Sequence, residues 1–341
     1  MRIALDGMGT DHYPGAEAEG AVLAAREFGC EMILTGDETL LAPALAAHQT
    51  PATRDRVRIV HSPEHLAMGE KPAFASRRKS NNSMARGMQL VRDGEADAFV
   101  TAGNTGAALT NALLVLKRIS GAKRPALTVM LPTATGSTIV LDIGANADCK
   151  PEYLYQFGVM GSVYAEKVLQ IDRPQVGLLA NGEEAGKGNA LVREVFPLLA
   201  EAPVNFVGNI EPQALFAGKA DVVVTDGYTG NILIKSAESV AALVGDLIKG
   251  AFKSNPLAMA GGALARSALR QAGRRMDPTE YGGVPLLGVN GVVIVGHGRS
   301  NGRAIRSAIG VAIRAVEQNI VGEIRSVLSE RLVAVQTQAA A

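Results

Sequence analysis

The feature that most constrains the fold is an alternation of short apolar runs with longer stretches of helical periodicity. Each run ends at Gly, Asn, Asp or Thr, which is typical of α/β proteins with parallel strands. The predicted strands are 2–6, 32–36, 57–61, 98–101, 127–131, 138–142, 176–180, 205–208, 221–225 and 291–296. The predicted helices are 14–28, 76–94, 105–119, 151–170, 188–199, 231–249 and 301–335. The sequence therefore predicts a three-layer α/β/α sandwich with a large, mainly parallel sheet.

The chain can bury a large core, because 47% of its 341 residues are hydrophobic and 20% are charged. No linker and no repeat divides it. We therefore predict a single α/β/α domain over 1–341, with a protruding helical hairpin at about 245–280.

Charge and apolar patterning exclude several classes of protein. Lys and Arg total 34 against 33 acids, which is not the charge of a protein that coats nucleic acid. The sequence shows neither a signal peptide nor an uncharged span of 18 apolar residues, so we expect a cytoplasmic protein. Cys30 and Cys149 lack the spacing of a redox or zinc pair, and we expect inert thiols.

Motifs for nucleotides and metals are incomplete. The loop from Gly182 to Gly188 resembles a Walker loop, but it has three residues between its glycines and Gly188 replaces the magnesium-binding Ser or Thr. His61 and His65 fit H-x-x-E-H, but a predicted strand leads into His61, so the two rings would not share a helical face. We therefore expect no cofactor and no metal.

The segment from Gly298 to Gly302 fits G-x-S-x-G, and it lies between a predicted strand and a predicted helix. All five histidines precede Ser300, so the α/β-hydrolase order of Ser, acid and His cannot be completed. A serine thioesterase that uses Ser300 stays an open alternative, and so does a non-catalytic scaffold.

Polar, glycine-rich loops follow six of the predicted strands. Two of them, 100–109 and 224–233, share six of ten positions and lead into helices, which suits backbone binding of phosphate. Ligands of open α/β sheets bind at the carboxyl ends of strands, so we expect these loops to converge on one cleft. The loops are 6–12, 102–106, 142–150, 181–187, 226–231 and 296–301.

Within and between these loops, blocks of residues resemble the bacterial phosphate acyltransferases. They include Leu5 to Gly9, Ala102 to Ala107, Asn146 to Glu152, Gly182 to Glu184 with Lys187, Asp226 to Asn231 with Lys235, and His297 to Asn301. The resemblance spans nearly the whole chain. It implies transfer of an acyl group from acyl-[acyl carrier protein] to inorganic phosphate, for phospholipid synthesis. It also implies a homodimer, a downstream glycerol-3-phosphate acyltransferase, and a fold similar to isocitrate and isopropylmalate dehydrogenases and phosphotransacetylases.

Phosphate is itself a nucleophile, so this reaction needs positioning more than an activated side chain. We expect phosphate to bind at Gly103, Asn104, Thr105 and Gly106, helped by Lys187 or Lys71. For the tetrahedral oxyanion the candidate donors are Asn146, Asn231 and the amides near Gly227. For protonation of the leaving thiolate the candidates are His297 and His12.

The segment 249–275 carries cations and no acid. Its cations include Lys249, Lys253, Arg266, Arg270 and Arg274, and its predicted tip carries Leu257 and Met259. This pattern predicts docking of the acidic carrier protein or peripheral contact with an anionic membrane. A helix pair packed on the core or on the dimer mate is the alternative.

Overall fold

The computed structural model describes residues 1–275 and 282–339, in which eleven strands form one sheet. The strands are β1 (Arg2–Asp6), β2 (Glu31–Gly36), β3 (Val57–His61), β4 (Ala98–Thr101), β5 (Ala126–Pro132), β6 (Ser137–Leu141), β7 (Gln175–Leu179), β8 (Asn205–Ile210), β9 (Val222–Val224), β10 (Val284–Leu287) and β11 (Val292–Val295). Their spatial order is β3-β2-β1-β4-β11-β10-β5-β6-β9-β7-β8.

The sheet has two parallel halves that run in opposite directions. The half β3-β2-β1-β4-β11 is parallel throughout, and so is the half β6-β9-β7-β8. Between them, β10 is antiparallel to β11 and to β5, and β5 is antiparallel to β6. A large, mainly parallel sheet is confirmed. The expectation that all six loops follow strands at one edge is corrected, because the carboxyl ends of the two halves lie at opposite edges.

Helices cover both faces of the sheet. They are α1 (Gly15–Phe28), α2 (Glu38–His48), α3 (Pro72–Arg78), α4 (Ser83–Arg92), α5 (Thr105–Val115), α6 (Pro151–Lys167), α7 (Ala190–Ala200), α8 (Pro212–Phe216), α9 (Gly227–Phe252), α10 (Pro256–Arg275), α11 (Gly302–Glu317) and α12 (Ile320–Ala339). Buried residues of α1, α6, α7, α11 and α12 share one hydrophobic cluster on one face. Buried residues of α4, α5, α8 and α9 pack on the other face.

Several helices begin where the sequence supplies an amide or carboxylate cap. The side chains of Asn82, Asn104, Asn189, Asp226 and Asn301 each accept a hydrogen bond from the backbone N–H three residues later. A cap of this kind stabilises a helix by about 1 kcal/mol. These caps fix the starts of α4, α5, α7, α9 and α11 next to the strand-end loops.

Helices α9 and α10 meet at residues 253–255, within the predicted hairpin at about 245–280. Gly262 of α10 lies against the Phe252 ring at the end of α9, where an added Cβ would come within 2.8 Å of the ring. Residues 276–281, the end of the predicted hairpin, lie outside the described residues. None of the described helices combines the length and the apolar character of a membrane-spanning segment.

Candidate active site

A cavity of about 330 Å³ lies where loops from both halves of the sheet meet α9. The loop after β6 lines it with Ile143, Gly144 and Ala145, and Ile143 N donates to Leu127 O at 3.1 Å. The polar groups of the wall are contributed by Thr105, Gly106, Asn231, Lys235, Glu238, His297 and Ser300. Residues that the sequence spreads over almost two hundred positions therefore share one cavity.

The turn after β4 presents the start of α5 to this cavity. Asn104 Oδ1 accepts from Ala107 N at 3.0 Å and its Nδ2 donates to Met68 O at 2.7 Å, so the predicted phosphate ligand caps α5 and holds a neighbouring loop. Thr105 and Gly106 line the cavity as the first residues of α5. Amides of a first helical turn have no partner within the helix, so they suit an anion.

The backbone amide of Gly103, a predicted phosphate ligand, already has a hydrogen-bond partner within the protein. Gly103 N donates to Thr101 Oγ1 at 3.0 Å, and that hydroxyl donates to Asp6 Oδ2 at 2.7 Å. Burial raises the pKa of the Asp6 carboxyl. The buried hydrogen bonds thus support the turn from below, and the geometry does not favour a phosphate contact from this amide.

A second buried carboxyl supports the loop after β1. Glu17 of α1 is 0% exposed, and its Oε1 accepts from Thr10 N at 2.7 Å. Its Oε2 and the Thr10 hydroxyl have no hydrogen-bond partner among the described residues. Burial raises the pKa of Glu17 from 4.5 to about 7.

The loop after β6 is organised by Asp142. Its carboxylate accepts from the backbone N–H groups of Leu127, Gly144, Ala145 and Asn146. The Nδ2 group of Asn146 donates to Asp142 Oδ2 at 2.9 Å and to Pro125 O at 2.8 Å. Both amide hydrogens of Asn146 are engaged, so the geometry favours a supporting role over the predicted oxyanion contact.

Helix α9 starts against this loop. Gly227 N donates to Asn146 O at 2.8 Å, and a Cβ at Gly227 would lie 2.6 Å from that oxygen, so only glycine fits here. Asn231 and Lys235 follow one turn apart on one side of the helix and line the cavity. Lys235 Nζ lies 3.4 Å from Glu238 Oε2, in an exposed pair that leaves the ammonium available to an anion.

Lys235 is a cation that sequence reasoning did not assign to phosphate. Its signal was present in the sequence, because the spacing of four residues from Asn231 places both side chains on the same side of the predicted helix.

The loop after β11 contributes His297 and Ser300. His297 Nδ1 accepts from Arg299 N at 3.1 Å. In a neutral imidazole with Nδ1 as acceptor, Nε2 carries the proton and can donate it. Ser300 is buried and its backbone N–H donates to His297 O at 2.9 Å.

Besides Gly103, Asn104 and Asn146, three further predicted residues lie outside the cavity wall. His12 is exposed in the turn after β1. Lys71 is the N-cap residue of α3, and the adjacent Pro72 lies against Gly106. Lys187 is exposed in the loop after β7, next to Gly188, which lines a separate cavity of about 700 Å³ on the other side of α9.

The predicted docking residues lie on the hairpin. Lys249, Lys253, Leu257, Met259 and Arg266 are all exposed, and Lys249 Nζ lies 3.1 Å from Asp246 Oδ1. Arg270 and Arg274 belong to α10, and their side chains lie outside the described part of the structure.

Comparison with known proteins agrees with this fold. The family model described as fatty acid synthesis protein matches residues 1–323. A phosphate acyltransferase of Acidobacterium capsulatum is 49% identical over 310 residues, which cover 91% of this chain and 92% of that protein. One from Pelotomaculum thermopropionicum is 47% identical over 326 residues, covering 96% and 94%.

Among solved structures, the EutD phosphotransacetylase from Staphylococcus aureus has a TM-score of 0.57 at 17% identity, covering 93% of this chain and 94% of that one. A 4-hydroxythreonine-4-phosphate dehydrogenase from Klebsiella pneumoniae has a TM-score of 0.54 at 15% identity, covering 93% and 99%. These likenesses confirm the expected kind of fold. The extensive identity to its curated relatives establishes that the chain belongs to the phosphate acyltransferase family and is an acyltransferase of lipid biosynthesis.

Proposed function

We propose that the chain transfers the acyl group of acyl-[acyl carrier protein] to inorganic phosphate in the cavity between α5, α9 and the loop after β11. The observation that carries this assignment is the shared wall of Thr105, Gly106, Asn231, Lys235 and His297. It combines backbone donors, one ammonium group and one imidazole donor. These groups match an anionic nucleophile, a developing oxyanion and a leaving thiolate.

Phosphate binds at the first turn of α5, where the Thr105 and Gly106 amides and the Lys235 ammonium group neutralise it. One phosphate oxygen attacks the thioester carbon, and a C–O bond forms. The carbonyl oxygen takes the electron pair and accepts a hydrogen bond from the Asn231 amide. Holding both reactants in this way contributes up to about 7–11 kcal/mol in favourable cases.

Collapse of the tetrahedral intermediate breaks the C–S bond and restores the carbonyl. His297 Nε2–H donates a hydrogen bond to the departing sulfur, which stabilises its developing negative charge. The proton that the attacking phosphate hydroxyl releases passes to this sulfur, so the carrier protein leaves as the free thiol. Acyl phosphate is the product, and no covalent enzyme intermediate is formed.

Thiol release from an acyl carrier substrate, measured with and without phosphate, tests this function. We expect release only with phosphate, and hydroxylamine should trap one acyl phosphate for each thiol. Phosphate-independent release together with labelling of Ser300 by a fluorophosphonate would instead identify a serine thioesterase. No turnover in either condition would identify a scaffold.

The hairpin supports a second part of the proposal, assembly and membrane contact. Large apolar side chains of α9 are exposed in a row, with exposed fractions of 59% for Val240, 59% for Leu243, 47% for Val244 and 64% for Leu247. A second copy of the chain would cover this row and form the homodimer. At the tip, Leu257 is 83% exposed between cations and would enter an anionic membrane surface.

Membrane contact also suits the product. An acyl phosphate is a reactive mixed anhydride with an apolar tail, so release beside a bilayer shortens its path to the next enzyme. We propose that a glycerol-3-phosphate acyltransferase consumes it there. Lys249, Lys253 and Arg266 supply the positive charge that anionic lipids or the acidic carrier protein would attract.

A further inference from the structure

The centre of the sheet contains a break in strand pairing. β10 pairs with β5 only through Leu286 and Leu287, whereas Val284 and Pro285 pair with β11. From Thr128 onward, the ladder of β5 is with β6 on its other side. β5 and β10 therefore diverge within the sheet, and Thr128 Oγ1 spans the gap by donating to Pro285 O at 3.0 Å.

Two cavities meet at this break. The active-site cavity lies on the face covered by α5 and α9, and a second cavity of about 250 Å³ lies on the face covered by α6 and α11. Both are lined by Val129, Met130, Gly283 and Val284. These four residues are half-buried, whereas the central strands β4 and β9 are buried throughout.

The second cavity has an apolar interior. Its remaining walls include Ile139, Leu169 and Val311, and Tyr164 is 2% exposed. The cationic residue of its lining, Arg314, is exposed. Apart from the hydroxyls of Thr128 and Tyr164 and the exposed Arg314, this lining is apolar, and it suits an alkyl chain better than a polar substrate.

We propose that the acyl chain of the substrate passes through the break between β5 and β10, from its thioester in the active-site cavity into the second cavity. This inference rests on the proposed function for the position of the thioester. The carbonyl end stays beside α5 and α9, and the chain crosses the sheet between Met130 and Val284. Its far end reaches Leu169 and Arg314, so these residues determine the preferred chain length.

The chain contains no tryptophan, so Leu169→Trp places a single reporter at the far end. We expect palmitoyl-pantetheine to shift the emission of this variant and butyryl-pantetheine to leave it unchanged, because only the long chain reaches that end. No phosphate is present, so the measurement reads chain binding even if the reaction chemistry were elsewhere. An emission unaffected by the palmitoyl compound would overturn the proposal, as would a shift caused by protein concentration alone, which would indicate contact between copies.

A substitution at the break between β5 and β10 tests the path of the acyl chain independently. In Met130→Trp the larger side chain fills the passage, and we expect the ratio of kcat/KM for palmitoyl to butyryl substrates to fall by about tenfold or more. Leu198→Trp adds the same side chain to the exposed side of α7 and should leave the ratio unchanged. An equal ratio in Met130→Trp and the original chain, with folding checked by circular dichroism, contradicts passage through the sheet.

Discussion

The imidazole of His297 is oriented by the backbone of Arg299, whose N–H donates to Nδ1 at 3.1 Å. This bond fixes the tautomer of the neutral ring and leaves the Nε2 proton for the cavity. The side chain that sequence reasoning proposed as an acid therefore offers its Nε2–H as a hydrogen-bond donor.

Loss of this proton donor should depend on the leaving group. We expect His297→Asn to lower kcat by about 10²-fold with an alkyl thioester. The loss should shrink with an aryl thioester, whose thiolate leaves without a proton. A kcat series over thiols of different pKa measures this, and His12→Asn serves as the control because His12 lies outside the cavity. An equal loss for every leaving group would contradict the assignment.

The phosphate role of Lys235 predicts a change in KM. Removing a charged hydrogen-bonding partner costs about 1.5–3 kcal/mol, so Lys235→Ala should raise the KM for phosphate by about tenfold or more. Lys235→Arg should restore part of the affinity. Lys167→Ala, on the exposed surface of α6, provides the control for loss of one charge.

The same KM measurement distinguishes Lys187, the phosphate ligand expected from the sequence, from Lys235, the one proposed from the structure. If Lys187→Ala raises the KM for phosphate and Lys235→Ala does not, the phosphate site belongs to the loop after β7. Asn104→Ala should act differently from both, because it removes the cap of α5 and costs about 1 kcal/mol of stability.

The strands were predictable because most of them are apolar runs buried on both faces, as β4 is at Ala98–Thr101. β10 was not predicted, since Pro285 interrupts its four residues and proline counts against a central strand. The prediction of a helix over 76–94 missed the interruption between α3 and α4. The long terminal helix is divided into α11 and α12, and Asn319 between them has a φ of 45°.

Strand direction and amide roles could not be read from the sequence. The change of strand direction at β10 and β5 depends on pairing between segments that are distant in the sequence, and no local sequence pattern encodes it. Asn104, Asn146 and Asn231 are the same residue type in similar loops, yet two of them hold the backbone and one lines the cavity. Which of their amide hydrogens already have a hydrogen-bond acceptor depends on residues that are distant in the sequence and close in space.

Burial of Glu17 makes stability depend on pH. Its pKa is raised from 4.5 to about 7, so between these values the folded state binds more protons than the unfolded state. The contribution of Glu17 to the free energy of unfolding is fully present below about pH 4.5 and decreases by about 3 kcal/mol as the pH rises to 7. Glu17→Gln should therefore raise Tm at pH 8 and have little effect at pH 5. Glu31→Gln, on the surface, should leave the Tm unchanged at both pH values. A Tm gain of Glu17→Gln that is confined to pH 5 would contradict the predicted direction of the effect.

Both thiols should be unreactive in the native protein. Burial raises the pKa of Cys149 to about 12, and it also raises the pKa of the buried Cys30. The thiolate is the nucleophile, so iodoacetamide at pH 8 should modify neither residue within the time that labels a denatured sample completely. Mass spectrometry reads the labelling. Rapid modification of Cys149 with loss of activity would contradict this and would indicate a catalytic thiol.

The hairpin tip should bind lipid through its apolar residues rather than through charge alone. Leu257→Glu combined with Met259→Glu places two carboxylates at the tip, where burial of a charge in the acyl region is unfavourable. We expect sedimentation with anionic vesicles to be lost, while phosphate-dependent thiol release in solution is retained. Leu243→Glu with Leu247→Glu lies on the row assigned to the second copy and should instead yield monomers in analytical ultracentrifugation. If the tip variant sediments like the original chain at physiological salt, Leu257 and Met259 do not enter the bilayer, and the hairpin serves the dimer or the carrier protein alone.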